Sequence, residues 1–181
     1  MKNCIYSLLF ACSMSFAYPA NELKSDFQEQ LDAIYAVIEK DHDDIEGIFA
    51  LAKDDFDFAL MGKLAMGGEL YSKLSSDQIA RYQDAFVNKM LKDLAIRLKN
   101  YSNQKVVINE ASSDEKRCKA TTSINYEGEK KDLVFLMRRQ GPDCFIYNVE
   151  IAGVNLMQTY KSQIADLFAN KSFEEALSKI K

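Results

Sequence analysis

The chain has 181 residues, a length typical of one domain. Its 23 Lys and Arg residues against 27 Asp and Glu make it slightly acidic, which argues against nucleic acid or an anionic membrane surface as the main partner. The one histidine, His42, sits in an acidic run, and this argues against a Ser-His-Asp triad and against a zinc site.

The N-terminus has the pattern of a secretory signal peptide. A basic MKN precedes a mostly apolar stretch over residues 4–16, and Ser15-Phe16-Ala17 fits a small-x-small cleavage site. The apolar stretch is too short to span a bilayer. We therefore expect residues 1–17 to be removed, leaving residues 18–181 as a single exported domain. A second interpretation stays open, because Leu9-Phe10-Ala11-Cys12 resembles a bacterial lipoprotein box in which Cys12 would be lipidated.

Apolar residues at helical spacing predict several short helices. They mark a helix over 21–40, a second over 45–53, a third over 56–66 and a single turn through Tyr71. A further helix over 157–169 follows the predicted strands.

The longest predicted helix covers residues 76–100. Ser75 precedes Gln78 by three residues, as in a capping box, and an apolar stripe follows at steps of three and four. At 1.5 Å per residue this helix would be roughly 37 Å long. We expect so long a helix to lie across a sheet.

Four segments have strand character: residues 105–110, 118–126, 132–138 and 144–151. Turn residues separate the last three, which we predict to form an antiparallel meander. With a final helix capped by Ser172, the order of helices, strands and helices is typical of an α+β fold.

The expected mature chain has two cysteines, Cys118 and Cys144, and a lone pair in an oxidising compartment suggests a disulfide. The closed loop would contribute ~3.5 kcal/mol on the chain-entropy model. In a simple meander, however, the two residues lie two strand spacings apart, about 9.6 Å, which is beyond disulfide reach. Strong twist or an early strand start would bring them together, so the sequence leaves this bond open.

The apolar residues form a large surface for a small domain. Each is first a candidate core residue, but the chain has no Trp, and its large apolar residues are Phe, Tyr and Met. Methionine is flexible and lines adaptable apolar surfaces well. A long helix folded over a curved sheet can also leave a cavity, so the composition hints at a ligand pocket.

Three stretches, in order, resemble a known family. NVEIAGVNLMQTYKSQI at 148–164 is similar to the signature of MlaC-type periplasmic phospholipid-binding proteins, also called the toluene-tolerance auxiliary family. FDFALMGKLAMGGELYSKLSSDQIARYQDAF at 56–86 and LKNYSNQKVVI at 98–108 resemble two further blocks of that family. Tyr71 stands where the family usually has Trp, which indicates a divergent branch.

The resemblance implies a soluble periplasmic carrier of phospholipid. Such a carrier exchanges cargo with an outer-membrane lipoprotein–porin complex and with the lipid-binding subunit of an inner-membrane ABC transporter, and so maintains outer-membrane lipid asymmetry. The implied fold is α+β, with helices on a twisted antiparallel sheet of about four strands around an apolar cavity, NTF2-like in layout. The resemblance implies no catalytic residue, metal or cofactor besides the lipid cargo. Asn148, Asn155 and Lys161 replace the common Asp, Ser and Arg, which puts single polar contacts in doubt but not the apolar architecture.

On this resemblance we predict that the long helix, the third helix, the sheet and the segment after it each contribute one wall of a lipid-binding cavity. Gly153 would let the chain turn at the cavity mouth, and the helix bearing Tyr160 and Lys161 would close one wall. The predicted lipid-binding residues are Phe58, Met61, Phe86, Met90, Leu94, Leu136, Tyr147, Val149, Ile151, Val154 and Tyr160.

Two other functions stay open. One is an NTF2-like enzyme acting on a small hydrophobic substrate, in which Asp57 and Tyr147 would serve as base and oxyanion donor, although no spacing recommends them. The other is a ligand-free periplasmic interaction module. Lipid in organic extracts of the purified protein would separate a carrier from both.

Overall fold

The structure is a computed structural model that describes residues 20–41, 43–98, 104–126, 128–169 and 171–180. The predicted signal peptide, Cys12 and His42 lie outside the described residues, as does the predicted end of the long helix at residues 99–100. No helix within the described ranges is long and apolar enough to cross a membrane.

The described residues form an α+β fold, as predicted. The helices are α1 (Ala20–Lys40), α2 (Ile45–Ala52), α3 (Phe58–Met66), α4 (Gly68–Tyr71), α5 (Ser76–Leu98), α6 (Leu156–Phe168) and α7 (Phe173–Leu177), and a 3-10 turn (Lys53–Asp55) follows α2. The strands are β1 (Val107–Ser113), β2 (Arg117–Tyr126), β3 (Glu129–Gln140), β4 (Asp143–Ile151) and β5 (Val154–Asn155).

Helix α3 begins two residues later than the sequence suggested. Phe56 forms a parallel bridge with Ile146 of β4, and the Asp57 amide donates to the Ile146 carbonyl at 2.8 Å. The Asp57 side chain then caps the helix by accepting from the Leu60 amide at 3.0 Å. The start of α3 is therefore fixed to the sheet, a tertiary contact that helical periodicity does not reveal.

The five strands form one antiparallel sheet in the order β1-β2-β3-β4-β5. The predicted meander of β2, β3 and β4 is confirmed. The fifth strand has only two residues, too few for an alternating pattern, and it pairs with the end of β4. The register shifts between Leu136 and Met137, where β4 has one extra residue. Such a bulge bends a strand and increases its twist.

Cys118 of β2 and Cys144 of β4 form a disulfide across β3, with their Cα atoms 6.1 Å apart. A flat sheet would separate these strands by about 9.6 Å. The sheet therefore curls strongly at this end, next to the bulge in β3–β4. The disulfide that the sequence left open is formed because the sheet is not flat.

The helices pack on the sheet and on each other. Helix α1 contacts β1 and α2, α3 contacts α6, and α6 contacts β4. The helices next to α5 are α3, α2 and α7, and the second half of α5 lies over the sheet across an open space, in agreement with the expectation that this helix lies across a sheet. The space between the second half of α5 and the sheet is where the candidate site lies.

Candidate functional site

An apolar cavity of about 330 Å³ lies between α5 and the inner face of β3 and β4, with α1 and α2 on one side and α6 on the other. Its volume falls at the lower end of the ~300–1,000 Å³ that is common for ligand pockets. The lining residues are Ile34, Ile38, Ile48, Phe49, Ala52, Phe56, Phe58, Val87, Met90, Leu91, Asp93, Leu94, Leu133, Phe135, Val149, Ile151, Leu156 and Tyr160. Of these, Asp93 and Tyr160 alone carry polar side-chain atoms.

The sheet wall follows from antiparallel register. Leu133 pairs with Ile151 and Phe135 pairs with Val149, so these four side chains project from the same face of the sheet. The intervening residues point to the opposite face. Because successive side chains of a strand point to opposite faces, β3 and β4 each contribute two apolar side chains to this wall of the cavity.

The opposite wall is a helical face. Val87, Met90, Leu91 and Leu94 of α5 are separated by steps of three and one and three, which places them on one side of the helix. Three buried clusters meet around the cavity, one at the first half of α5, one at the disulfide end of the sheet, and one between α1 and α2. The cavity is thus the space that these clusters leave unfilled.

Three polar side chains form a group beside the cavity, and two of them, Asp93 and Tyr160, line it. The Tyr160 hydroxyl of α6 donates to Asp93 Oδ2 of α5 at 2.7 Å, and Lys89 Nζ lies 3.3 Å from the same oxygen. Lys89 Nζ also lies 5.9 Å from the centroid of the Tyr160 ring. The side chains of Lys89 and Asp93 are 18% and 29% exposed, so this group borders both solvent and the cavity. This group of three side chains links α5 to α6.

The turn before α6 is a two-residue hairpin. Ala152 and Gly153 have φ values of 49° and 79°, and Ile151 pairs with Val154 on either side of them. Two consecutive left-handed residues characterise the type I′ turn that suits the twist of a hairpin. The turn reverses the chain at the end of β4, after which α6 begins.

Two asparagines fix the start of α6. Asn155 accepts from the Gln158 amide at 2.9 Å as the N-cap, and buried Asn148 of β4 accepts from the Met157 amide at 3.2 Å. Both satisfy amides that lack a partner in the first turn of a helix. An amide oxygen can fill these roles as a hydroxyl or carboxylate would. Asn148 and Asn155, which stand where Asp and Ser are common in the family that the sequence resembles, are therefore compatible with the same local structure.

Six of the eleven predicted lipid-binding residues are brought together around the cavity. They are Phe58, Met90, Leu94, Val149, Ile151 and Tyr160. These residues come from the elements that we expected to form the cavity walls: the third helix, the long helix, the sheet and the helix after the turn at Gly153. Their role in binding lipid stays a prediction.

The structure places the other five elsewhere. Met61 and Phe86 are completely buried in the cluster of α3, α5, α6 and α7 and do not line the cavity. Leu136 and Tyr147 border a separate pocket of about 390 Å³ beside Lys119, because Leu136 alternates with the cavity residue Phe135 and Tyr147 sits in the bulge. Val154 belongs to the edge strand β5 and is 61% exposed.

The sequence interpretation missed several lining residues. Those from α1 and α2 have a helical apolar face as their only sequence signal. Leu133 and Phe135 lie in the continuous apolar run at residues 133–137, which does not show which alternate side chains face inward. Asp93 was also missed, and its signal is a carboxylate inside the apolar stripe of a long helix. The missed lining residues are Ile34, Ile38, Ile48, Phe49, Ala52, Phe56, Val87, Leu91, Asp93, Leu133, Phe135 and Leu156.

Polar side chains elsewhere serve structural roles. Asp57 Oδ1 caps α3, and Asp57 Oδ2 forms an ion pair with Arg138 Nη2 at 2.5 Å without a hydrogen bond of good geometry. The Tyr82 hydroxyl donates to the Gly62 carbonyl at 2.9 Å, and burial raises the pKa of Tyr82 above its ordinary value. Within the described ranges, His, Cys, Asp and Glu form no group of three or more that could hold a metal ion.

Comparisons with known proteins identify a family and a similar fold. The family model described as "MlaC protein" matches residues 22–181. The phospholipid-binding protein of Ralstonia solanacearum, solved in complex with a phospholipid, superposes with a TM-score of 0.74 at 22% sequence identity, over 86% of this chain and 93% of that one. No curated protein sequence matches the chain significantly.

Proposed function

Because the chain belongs to the MlaC protein family, we propose that it binds phospholipid and carries it through the periplasm. The observation that carries this proposal is the cavity between α5 and the sheet, in which sixteen of the lining side chains are apolar and two are polar. A phospholipid complex of a protein with the same fold supports the proposal.

The energetics of such a carrier match a cavity of this composition. Each acyl chain of about fifteen methylenes costs on the order of 12 kcal/mol to expose to water, at ~0.8 kcal/mol per methylene. A carrier must therefore cover the hydrocarbon, whereas the headgroup can stay hydrated. A cavity with two polar residues among eighteen lining residues meets this requirement without a specific headgroup site.

We further propose the donor and acceptor of the lipid. These are the lipid-binding subunit of an inner-membrane ABC transporter and an outer-membrane lipoprotein–porin complex, so that transport maintains outer-membrane lipid asymmetry. The export-signal pattern of residues 1–17 supports a periplasmic location.

The NTF2-like enzyme is the weaker candidate. Its proposed base, Asp57, is engaged by the α3 cap and by Arg138, and its proposed oxyanion donor, Tyr147, borders a depression other than the apolar cavity. A general base needs an accessible carboxylate near the substrate. Neither residue is among those that line the cavity.

The test is lipid content after purification, with a matched pair of substitutions. Val149→Asp places a carboxylate in the buried cavity wall, whereas Val154→Asp makes the same change on an exposed edge strand. We expect mass spectrometry of organic extracts to find stoichiometric phospholipid in the wild type and in Val154→Asp, and none in Val149→Asp. Met90→Asp, on the opposite wall, should behave like Val149→Asp.

Circular dichroism would verify that each variant is folded. Stoichiometric lipid in folded Val149→Asp and Met90→Asp would show that the cavity is not the binding site. A wild-type protein that purifies empty and takes up no lipid would overturn the proposed function and favour the interaction module.

A further inference from the structure

The two cysteines of the disulfide border two different spaces. Cys144 lines a space of about 310 Å³ between α1, the 3-10 turn and the start of β4. Cys118 lines the pocket of about 390 Å³ beside the turn between β1 and β2. Met137, the strand partner of Cys118, borders both spaces. The two bonded residues therefore have different surroundings.

The space beside Cys144 is strongly acidic. Four carboxylates and no Lys or Arg are among its described lining residues, and the carboxylates belong to Asp26, Asp54, Asp55 and Asp143. Arg139, the strand partner of Cys144, does not line this space, because its guanidinium donates to the carbonyls of Gly141 and Asp114 at 3.0 and 3.2 Å. Charges of one sign repel an anion that comes within a few ångströms of them. An anionic thiol that enters this space is therefore repelled.

The surroundings of Cys118 favour its departure as a thiolate. Ser113 Oγ lies 3.7 Å from Cys118 Sγ, so the hydroxyl can donate to a thiolate formed there. The charged residues that line the same pocket are Arg117, Lys119 and Asp114, two cations against one anion. Cationic neighbours stabilise a thiolate, and a more stable thiolate leaves a disulfide faster. Cys118 is itself only 3% exposed, which blocks direct attack on it, whereas Cys144 is half-buried.

We propose that Cys144 is a thiol-exchange site that reacts with neutral and cationic thiols in preference to anionic ones. A thiolate attacks Cys144 Sγ and forms a new S–S bond, while the bond between the two cysteines breaks. The electron pair goes to Cys118 Sγ, which leaves as a thiolate and takes a proton from solvent. A second thiolate attacks the reagent sulfur of the mixed disulfide, which releases Cys144 as a thiolate and forms the reagent's own disulfide.

Reduction rates with three thiols that share a two-carbon chain test the selectivity. The probes are cysteamine, 2-mercaptoethanol and 2-mercaptoethanesulfonate, which carry a cationic, a neutral and an anionic group. Rates per thiolate are measured at low ionic strength by trapping free cysteines with N-ethylmaleimide and mass spectrometry. Each rate is divided by the rate for the urea-unfolded protein, which removes the intrinsic reactivity of the reagent.

We expect this folded-to-unfolded ratio to be about tenfold higher for cysteamine than for 2-mercaptoethanesulfonate, with 2-mercaptoethanol between them. Sodium chloride at 1 M, where the screening length is about 3 Å, should bring the three ratios within about twofold of one another. Equal ratios for the three thiols at low ionic strength would overturn the proposal.

A matched pair of double variants separates local charge from net charge. Asp54→Asn with Asp143→Asn removes two carboxylates that border the space, and Asp84→Asn with Asp166→Asn removes two exposed carboxylates that do not. The preference for cysteamine should fall to about threefold or less in the first variant and stay unchanged in the second. An equal fall in both would assign the preference to the net charge of the protein and overturn the proposal.

The site of attack is tested in the wild-type protein. Brief reaction with cysteamine is stopped with N-ethylmaleimide, and peptides are mapped by mass spectrometry. We expect most of the mixed disulfide on Cys144, with N-ethylmaleimide on Cys118. Mixed disulfide mainly on Cys118 would contradict the assignment of Cys144 as the attacked residue.

Discussion

The two halves of α5 have the same apolar periodicity but different surroundings. In the first half, Tyr82 and Phe86 are completely buried, and the Phe86 ring packs edge-on against Tyr160 with centroids 5.5 Å apart. In the second half, Met90 and Leu94 face the cavity. The stripe on a helix thus predicts which face is apolar, but the opposing surface determines whether that face meets side chains or open space.

Residue size on the opposing elements accounts for the difference. Opposite the first half, α3 presents Gly62 and Ala65, and the small size of these two residues allows α3 and α5 to approach closely. Opposite the second half, the segment before and into α3 presents Phe56 and Phe58, whose stacked rings are 5.4 Å apart, and Phe58 also contacts Phe49 at 5.7 Å. Large rings packed on one another keep the sheet away from this half of α5.

The largest expected effect on stability is in the first half of α5, where side chains fill the space around the helix. Phe86→Ala should lower the free energy of unfolding by about 3–5 kcal/mol, because it leaves a new void among closely packed side chains. Met90→Ala should cost less than about 1.5 kcal/mol, because one side of Met90 already lacks partner atoms. Urea unfolding of delipidated protein, with equal m values, measures both. Similar losses for the two variants would mean that the second half is packed as tightly as the first.

The helices and four of the five strands could be predicted from the sequence because each depends on local pattern. Capping residues such as Ser75 and Ser172 and the alternation in β4 mark their elements directly. The α3 start at Phe58 and the two-residue β5 could not, since both depend on pairing with β4. The disulfide depended on sheet curvature, which no local pattern gives.

The second prediction concerns the stability that the disulfide provides. Replacing Cys118 and Cys144 together with Ala should cost ~3.5 kcal/mol, because the unfolded chain regains the entropy of an open loop. Neither cysteine lines the apolar cavity, so lipid content should stay stoichiometric. Urea unfolding and mass spectrometry of the same preparation measure the two quantities. Loss of lipid without loss of stability would contradict the prediction that the disulfide stabilises the fold but does not contribute to lipid binding.

The site was harder to predict than the fold. Met61 and Phe86 satisfied every sequence criterion for a cavity wall, yet they lie in the filled cluster. Helical periodicity identifies an apolar face, but it does not show that Met90 on this face lines the cavity whereas Phe86, one turn before it, lies in the filled cluster. Distinguishing these positions required knowing that Gly62 brings α3 against α5, which is a property of two elements together.

A smaller effect is expected where the two halves meet, at Tyr160. Tyr160→Phe keeps the ring that packs on Phe86 and removes the hydroxyl that donates to Asp93. We expect a loss of about 1 kcal/mol, since the bond is charge-assisted but the carboxylate is partly exposed. Urea unfolding of Tyr160→Phe, with Tyr126→Phe as the exposed control, measures it. Equal effects at both tyrosines would show that the link between α5 and α6 adds no stability.

The smallest expected effect concerns the hairpin that brings α6 onto the cavity. Ala152 has a φ of 49°, a left-handed conformation that asparagine tolerates better than alanine, so Ala152→Asn should stabilise by about 0.5–1 kcal/mol. Gly153→Ala should destabilise by about 1 kcal/mol, since Gly153 has a φ of 79°. A Cβ on Gly153 would meet nothing within 4 Å, so its cost would report backbone strain alone. Melting temperatures should shift in opposite directions by roughly 2–4 °C per kcal/mol. Shifts of the same sign would mean that the turn is not held in the type I′ conformation, and the position of α6 over the cavity would then need another cause.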